Sequence, residues 1–185
     1  MNINSSQKQN DIKITVIVPV YNTPFELMDV FFDSLKKQTD QNFSVIIVDD
    51  GSSKEYKEYL KNAGSEFNSA SIIFNDHMGV SYARNTGIQQ AITEFVSFAD
   101  SDDVVDEHFI ETANNYVKVY DPDIIYGNMR YVPIDRGIKQ SENIVDVFQG
   151  KQIVEIKKSL LSIQPRQLTY QVAGSPCAKI IRTKI

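Results

Sequence analysis

The sequence predicts an α/β fold in which helices flank a mainly parallel central sheet. Short apolar runs rich in Val, Ile and Phe alternate four times with helical patterns, the order expected of parallel strands joined by helical crossovers. Polar residues, many of them acidic, follow three of these runs. The 185 residues are 42% hydrophobic and 23% charged, which suits one well-buried globular domain.

The apolar runs have the β-branched and aromatic composition of buried strands. Pro19 lies near the end of the first run, where a strand can stop without losing a central hydrogen bond. Shorter runs near the C-terminal end predict two further strands. The predicted strands are residues 14–20, 43–48, 71–75, 95–98, 123–126 and 129–132.

Local signals predict where the helices begin and end. Thr23 and Glu26 form a capping box around Pro24, which predicts the start of the first helix. Ser53 can cap the second helix, which is predicted to stop at Gly64.

A third helix is predicted after Gly79, and Asp106 can cap a fourth. Pro122 ends the fourth helix, because the residue before a proline is pushed out of helical geometry. Residues 133–143 are predicted to form a polar connection, and residues 151–162 have the pattern of an amphipathic helix.

The composition of the chain argues against a nucleic-acid-binding protein and against a membrane-spanning segment. The 19 Lys and Arg against 24 Asp and Glu give a net charge of -5, which argues against a broad nucleic-acid surface. No apolar run approaches the roughly 20 residues that span a bilayer. The polar residues 1–12 are predicted to be a disordered lead-in to a single domain over 13–185. The single cysteine, Cys177, fits a reducing compartment, so a cytoplasmic location is predicted.

A cluster of acids follows the fourth strand. Residues two apart in an extended segment face the same way, so Asp100 and Asp102 can aim at one point. Such carboxylates repel each other unless a cation lies between them, and oxygen ligands favour Mg²⁺ or Mn²⁺. The alternative is a solvated acidic turn that also includes Asp103.

Polar residues follow three of the predicted strands: Tyr21 and Asn22, Asp49 and Asp50, and residues 100–103. In a parallel α/β sheet these positions meet at one edge, where ligands bind. Arg84 adds a permanent positive charge near the same edge. A nucleotide diphosphate matches this combination, and the absence of a glycine-rich phosphate loop predicts that a metal holds its diphosphate.

Four segments in this order resemble the family 2 glycosyltransferases with the GT-A type fold. They are VIVPVYN at 16–22, VIIVDDGSS at 45–53, GVSYARNTGI at 79–88 and FVSFADSDD at 95–103. The resemblance implies a metal-dependent, inverting transfer of a sugar from a nucleotide-diphosphate donor, with UDP as the expected nucleotide. It also implies a saccharide or lipid-linked acceptor in polysaccharide synthesis and leaves open an association with the inner face of the membrane.

The resemblance implies roles for individual residues of this sequence. Residues 19–21, which are Pro19, Val20 and Tyr21, would line the base pocket, and Asp49 would accept a hydrogen bond from the base. Arg84 would lie near the base or the diphosphate. The implied ribose and metal residues follow the fourth strand: Asp100 at the ribose and the metal's water shell, Ser101 among the donor-binding residues, and Asp102 as the direct metal ligand.

The general base of the family comes from an acidic motif that has no match in this sequence. The stretch 174–182 resembles the segment that precedes it, so a fragment of a longer enzyme, truncated after Ile185, is predicted. The remaining acids are Asp135, Glu142 and Asp146, and their surroundings favour none of them.

Two other functions fit the same residues: a nucleotide-binding fragment without catalysis, and a sugar nucleotidyltransferase. The second would need a basic, glycine-rich loop where Tyr21-Asn22-Thr23-Pro24 stands. Asp50 is interpreted as a turn or cap residue, and His77 and His108 as surface or packing residues.

Overall fold

The computed structural model of the chain describes residues 13–127, 146–148 and 177–183. The strands are β1 (Ile14–Val20), β2 (Phe43–Asp49), β3 (Ala70–Phe74), β4 (Phe95–Phe98), β5 (Ile124–Tyr126), β6 (Asp146–Phe148) and β7 (Lys179–Arg182). The helices are α1 (Phe25–Lys36), α2 (Lys54–Ser65), α3 (Val80–Gln90) and α4 (Phe109–Tyr120). The predicted elements at 129–132, 133–143 and 151–162, and the lead-in at 1–12, lie outside the described residues.

One seven-stranded sheet organises the fold, in the order β3-β2-β1-β4-β7-β5-β6. The four strands that alternate with helices are parallel, so the predicted parallel core is confirmed. The remaining pairs, β4 with β7, β7 with β5 and β5 with β6, are antiparallel. The whole sheet is therefore mixed, with a parallel half that carries the candidate site.

Both faces of the parallel half are covered, which explains why all seven residues of β1 are buried. On one face Met28, Phe31 and Leu35 of α1 pack with side chains from α2 and α4 into the main core. On the other face Ala83 of α3 packs against Ile17 in a smaller cluster. None of the described helices is long and apolar enough to cross a membrane.

Three predicted helix ends differ from the structure. Asp106 does not cap α4, which begins at Phe109 after His108 and has no side-chain cap. The capping box at Thr23 does not form, because the Thr23 hydroxyl hydrogen-bonds that of Ser101 instead, at 2.7 Å. Gly64 does not stop α2, which continues to Ser65. The glycine is buried inside the helix, where a Cβ would lie 2.8 Å from Cδ1 of Ile72, so close packing rather than a chain turn accounts for it.

The sequence analysis missed β7. This four-residue strand inserts between β4 and β5 and places Arg182 over the ring of Phe95, at 4.6 Å from its centroid. Arg182 also pairs with Glu94 and with Asp121. These partners are distant in sequence, so a local pattern could not indicate the strand.

Gly87 sets the distance between α3 and β1. A Cβ on Gly87 would lie 2.3 Å from Cγ2 of Ile17. Alanine favours helices by about 1 kcal/mol over glycine, but the overlap requires the helix or the strand to move. We therefore expect Gly87→Ala to lower the free energy of unfolding by about 1–3 kcal/mol in chemical denaturation. Gln89→Ala, at an exposed position of the same helix, is the control, and an equal effect of the two changes would contradict this packing account.

Candidate active site

The parallel register brings three polar loops together at one edge of the sheet. Val20 pairs with Asp49, so the residues after β1 and β2 begin side by side. The amide of Asp50 donates to the carbonyl of Val20 at 2.8 Å, and that of Ala99 donates to the carbonyl of Ile17 at 3.1 Å. Pro19 and Val20 are buried strand residues beneath this edge.

Asp49 is a buried carboxylate with acceptor capacity to spare. The residue is only 1% exposed, so its side chain lies below the surface at the base of the site. Oδ1 accepts one hydrogen bond, from the amide of Ser52 at 3.1 Å. Two carboxylate oxygens can accept about four hydrogen bonds, so this group can also accept a bond from a ligand.

The neighbouring Asp50 fastens two loops to each other. Its buried carboxylate accepts the amides of Met78 at 2.8 Å and Gly79 at 2.7 Å. The turn at Gly51 has φ +84, and a Cβ there would lie 2.7 Å from the backbone nitrogen of His77. The two hydrogen bonds to the carboxylate and the close packing of the turn support the interpretation of Asp50 as a turn residue rather than a ligand.

Tyr21 lies at the mouth of the site, and its ring stacks on His77. The ring centroids are 4.1 Å apart with an interplanar angle of 23°. Tyr21 remains 49% exposed. The sequence indicated His77 as a surface or packing residue but did not predict its contact with Tyr21, because no local signal pairs two residues that only the fold brings together.

Arg84 and Asp100 form an ion pair at the same edge. Nη2 of Arg84 donates to Oδ1 of Asp100 at 2.7 Å, and the arginine side chain is only 18% exposed. Within the part of the chain that the structure describes, the buried Nε of Arg84 has no hydrogen-bond partner. A buried donor without a partner is uncommon in folded proteins.

The acids after β4 repel one another. The pKa of Asp103 is raised, first by burial and then by the charges of Asp100 and Asp102. Arg84 is paired with Asp100 alone, so a further cation would relieve the repulsion that Asp103 and Asp102 contribute. Asp102, the predicted direct ligand, is exposed and accessible from solvent.

The buried Ser101 positions these acids. Its hydroxyl hydrogen-bonds that of Thr23 at 2.7 Å, which ties the loop after β4 to the loop after β1. The residue is 4% exposed, whereas Asp102 beside it is exposed. The structure thus gives Ser101, predicted among the donor-binding residues, a contact that orients the loop.

Cys177 lies beside the acids, which the sequence did not indicate. Its backbone forms an isolated parallel β-bridge with Phe98 at the end of β4. One ligand atom each from Asp100, Asp103 and Cys177 lie within 4.8 Å of one another. Mg²⁺ and Mn²⁺ prefer oxygen to sulfur, so the carboxylates of Asp100 and Asp103, and not the thiol, suit a hard ion. Asp102, the predicted direct ligand, does not belong to this group.

The family of the chain follows from comparison with known proteins. Residues 15–178 match the model of Glycosyl transferase family 2. The chain therefore belongs to the family 2 glycosyltransferases.

Two relatives come from Streptococcus pneumoniae serotype 4. Glycosyltransferase GlyA is 37% identical over 118 residues, which are 64% of this chain and 17% of GlyA. Glycosyltransferase GlyG is 36% identical over 116 residues, which are 62% of this chain and 38% of GlyG. The chain thus spans less than two fifths of either relative.

Solved structures show the same fold. Staphylococcus aureus TarS 1-349 in complex with UDP-GlcNAc has a TM-score of 0.66 and 26% identity, over 92% of this chain and 45% of that one. The mannosyltransferase PcManGT from Pyrobaculum calidifontis has a TM-score of 0.56 and 20% identity. The superposition covers 64% of this chain and 36% of the PcManGT chain. The GT-A type fold predicted from sequence is confirmed.

The hydroxyl pair of Thr23 and Ser101 can be tested by a double-mutant cycle. Thr23→Val or Ser101→Ala alone leaves the other hydroxyl without its partner, and each should cost about 1–2 kcal/mol of unfolding free energy. The double variant should cost less than the sum of the two, with a coupling of about 1 kcal/mol measured by denaturant unfolding. Strictly additive costs would show that the two hydroxyls do not hold the loops together.

Proposed function

We propose that this chain carries the donor site of a metal-dependent, inverting glycosyltransferase that uses a UDP-sugar. The observation that carries the proposal is the convergence of Tyr21, Asp49 and the Arg84–Asp100 ion pair at one edge of the sheet. These groups match an aromatic base, its hydrogen-bond donors and a charged diphosphate.

The base would lie against Tyr21, with its N–H donating to Asp49. Tyr21 is half exposed, so its ring offers an apolar surface to a planar ligand. Asp49 is buried, and a hydrogen bond from a ligand to a desolvated carboxylate is stronger than one in water. A base with an N–H toward this carboxylate, such as uracil, is favoured over one with only acceptors there.

The diphosphate would lie between Arg84 and the acids after β4. Asp102 and Asp100 are the residues proposed to hold Mn²⁺ or Mg²⁺, the first directly and the second also near the ribose. A bound divalent ion supplies charge neutralisation for the leaving diphosphate. Asp103 supports the loop, since its amide donates to the carbonyl of Asp100 at 3.1 Å.

The choice of uridine is supported by TarS, whose structures include complexes with UDP and with UDP-GlcNAc. The proposed acceptor is a saccharide or lipid-linked saccharide in polysaccharide synthesis. Teichoic acid poly(glycerol phosphate) polymerase of Staphylococcus epidermidis, 31% identical over 109 residues, supports a surface polymer as the product. Association with a membrane face is part of the same proposal.

The acceptor hydroxyl must lose its proton to a general base as it attacks the anomeric carbon. No described residue is proposed for that role: the acids at this edge of the sheet are proposed for the donor side, and the sequence favours none of Asp135, Glu142 and Asp146. Nucleotide binding without catalysis remains the second candidate function, because the contacts described at this edge concern the donor side.

Asp102→Asn tests the metal. The change removes a ligand charge but relieves repulsion, so the fold should persist with an unchanged or higher unfolding temperature. UDP binding in Mn²⁺, measured by isothermal titration, should fall by at least tenfold, to the affinity measured in EDTA. Glu107→Gln is the matched control at an exposed acid nearby. Full UDP affinity in Asp102→Asn would remove Asp102 from the metal site, and loss of folding would make it structural.

Asp49→Asn tests the base pocket. The amide keeps the size of the side chain but presents an N–H where the base would donate, so UDP affinity should fall by about tenfold or more, with and without Mn²⁺. Pyrophosphate, which has no base, should bind the variant and the unchanged chain equally. An unaltered affinity for UDP would exclude Asp49 from contact with the base.

A further inference from the structure

We propose that His77 is a positioning residue for the nucleobase: it holds the ring of Tyr21 in the orientation that receives the base of the donor. The inference rests on the proposed function, because it needs a nucleotide at this edge of the sheet. It adds a residue from the loop between β3 and α3, to which neither the sequence nor the family comparison assigns a role.

The geometry of the stack determines which face of Tyr21 is available. With the ring centroids 4.1 Å apart, the two rings are in contact and no third ring fits between them. Tyr21 is nevertheless 49% exposed. A ring covered on one face by His77 has its exposure on the other face and its edge, so a base would stack there, with His77 behind.

His77 is held in place by Asp50. Nδ1 of His77 lies 3.1 Å from the carbonyl oxygen of Asp50 and 3.3 Å from its Oδ2. Both of these atoms are acceptors, so Nδ1 carries the proton and donates to them. The contact thus favours the tautomer that carries its proton on Nδ1.

The backbone of His77 is fixed independently of its ring. The Asp50 carboxylate accepts the amides of Met78 and Gly79, the two residues that follow. Gly51 packs so closely that a Cβ there would come within 2.7 Å of the His77 nitrogen. The imidazole is therefore anchored at its backbone and at Nδ1, although 58% of its side chain is exposed.

Tyr21 has less support of its own. It follows the last residue of β1 and precedes Asn22, whose φ is +48, at a sharp change of chain direction. Without its neighbour, an exposed tyrosine samples several rotamers and must be ordered when the base binds. Ordering one such side chain weakens binding by roughly threefold to tenfold. His77 avoids this loss because it orders Tyr21 before the base binds.

The test compares UDP with pyrophosphate, each in Mn²⁺, by isothermal titration. His77→Ala should weaken UDP by about threefold to tenfold and leave pyrophosphate unchanged, because pyrophosphate lacks the base. His77→Phe keeps an aromatic ring against Tyr21 but loses the Nδ1 contact with Asp50, so it should recover only part of the lost UDP affinity. His108→Ala is the matched control, since His108 is an exposed histidine that pairs with Glu111 and lies outside the site. Unfolding temperatures of all variants establish that the fold is kept.

The outcomes separate this inference from the proposal on which it rests. Unaltered UDP affinity in His77→Ala, with normal binding by the unchanged chain, overturns the role of His77 alone. Equal losses for UDP and pyrophosphate overturn it in favour of a general effect on the loop. Failure of the unchanged chain to bind UDP overturns both the donor site and the role of His77.

Discussion

The candidate site depends on the hydrogen bonding of β1 between two parallel neighbours. β2 lies on one side and β4 on the other, all running in the same direction. The carboxyl ends of parallel strands lie at the same edge of the sheet. The loops after the three strands therefore meet there although they are distant in sequence. β1 must be apolar on both faces for this, because helices cover both, and all seven of its residues are buried. The burial of β1 and the convergence of polar groups at its end thus have the same cause.

A second layer of contacts turns these neighbouring loops into a defined edge. Asp50 joins the loop after β2 to the loop that begins α3, and Ser101 joins the loop after β4 to Thr23 after β1. Both residues are buried, whereas Tyr21 and Asp102 near them are exposed. Asp50 and Ser101 hold the loops because they are buried and hydrogen-bonded. Tyr21 and Asp102 remain available to a ligand because they are exposed, and the buried Asp49 remains available through its spare acceptor capacity.

Sequence patterns predicted the existence of the four parallel strands and four helices between Ile14 and Tyr120. Each of them has enough apolar residues at period 2 or 3.6 to identify it. The patterns failed where a distant partner decides the structure. Thr23 fits a local cap, but Ser101, which is 78 residues away, takes its hydroxyl. β7 is a strand because β4 and β5 flank it, and Tyr21 meets His77 only after the sheet has formed. The roles of Asp49, Arg84 and Asp102 came from resemblance and stay predictions. The structure adds a contact of Asp49 with Ser52 and one of Arg84 with Asp100.

The central claim is that one edge of the sheet binds UDP and a divalent ion together. Anomalous diffraction from crystals grown with UDP and Mn²⁺ tests it most directly. The account predicts a single strong manganese peak at the carboxylates after β4, within about 2.5 Å of an Asp102 oxygen, bridged to the diphosphate, with the uracil ring on the open face of Tyr21. A manganese peak away from residues 100–103, or UDP bound elsewhere on the chain, would contradict it.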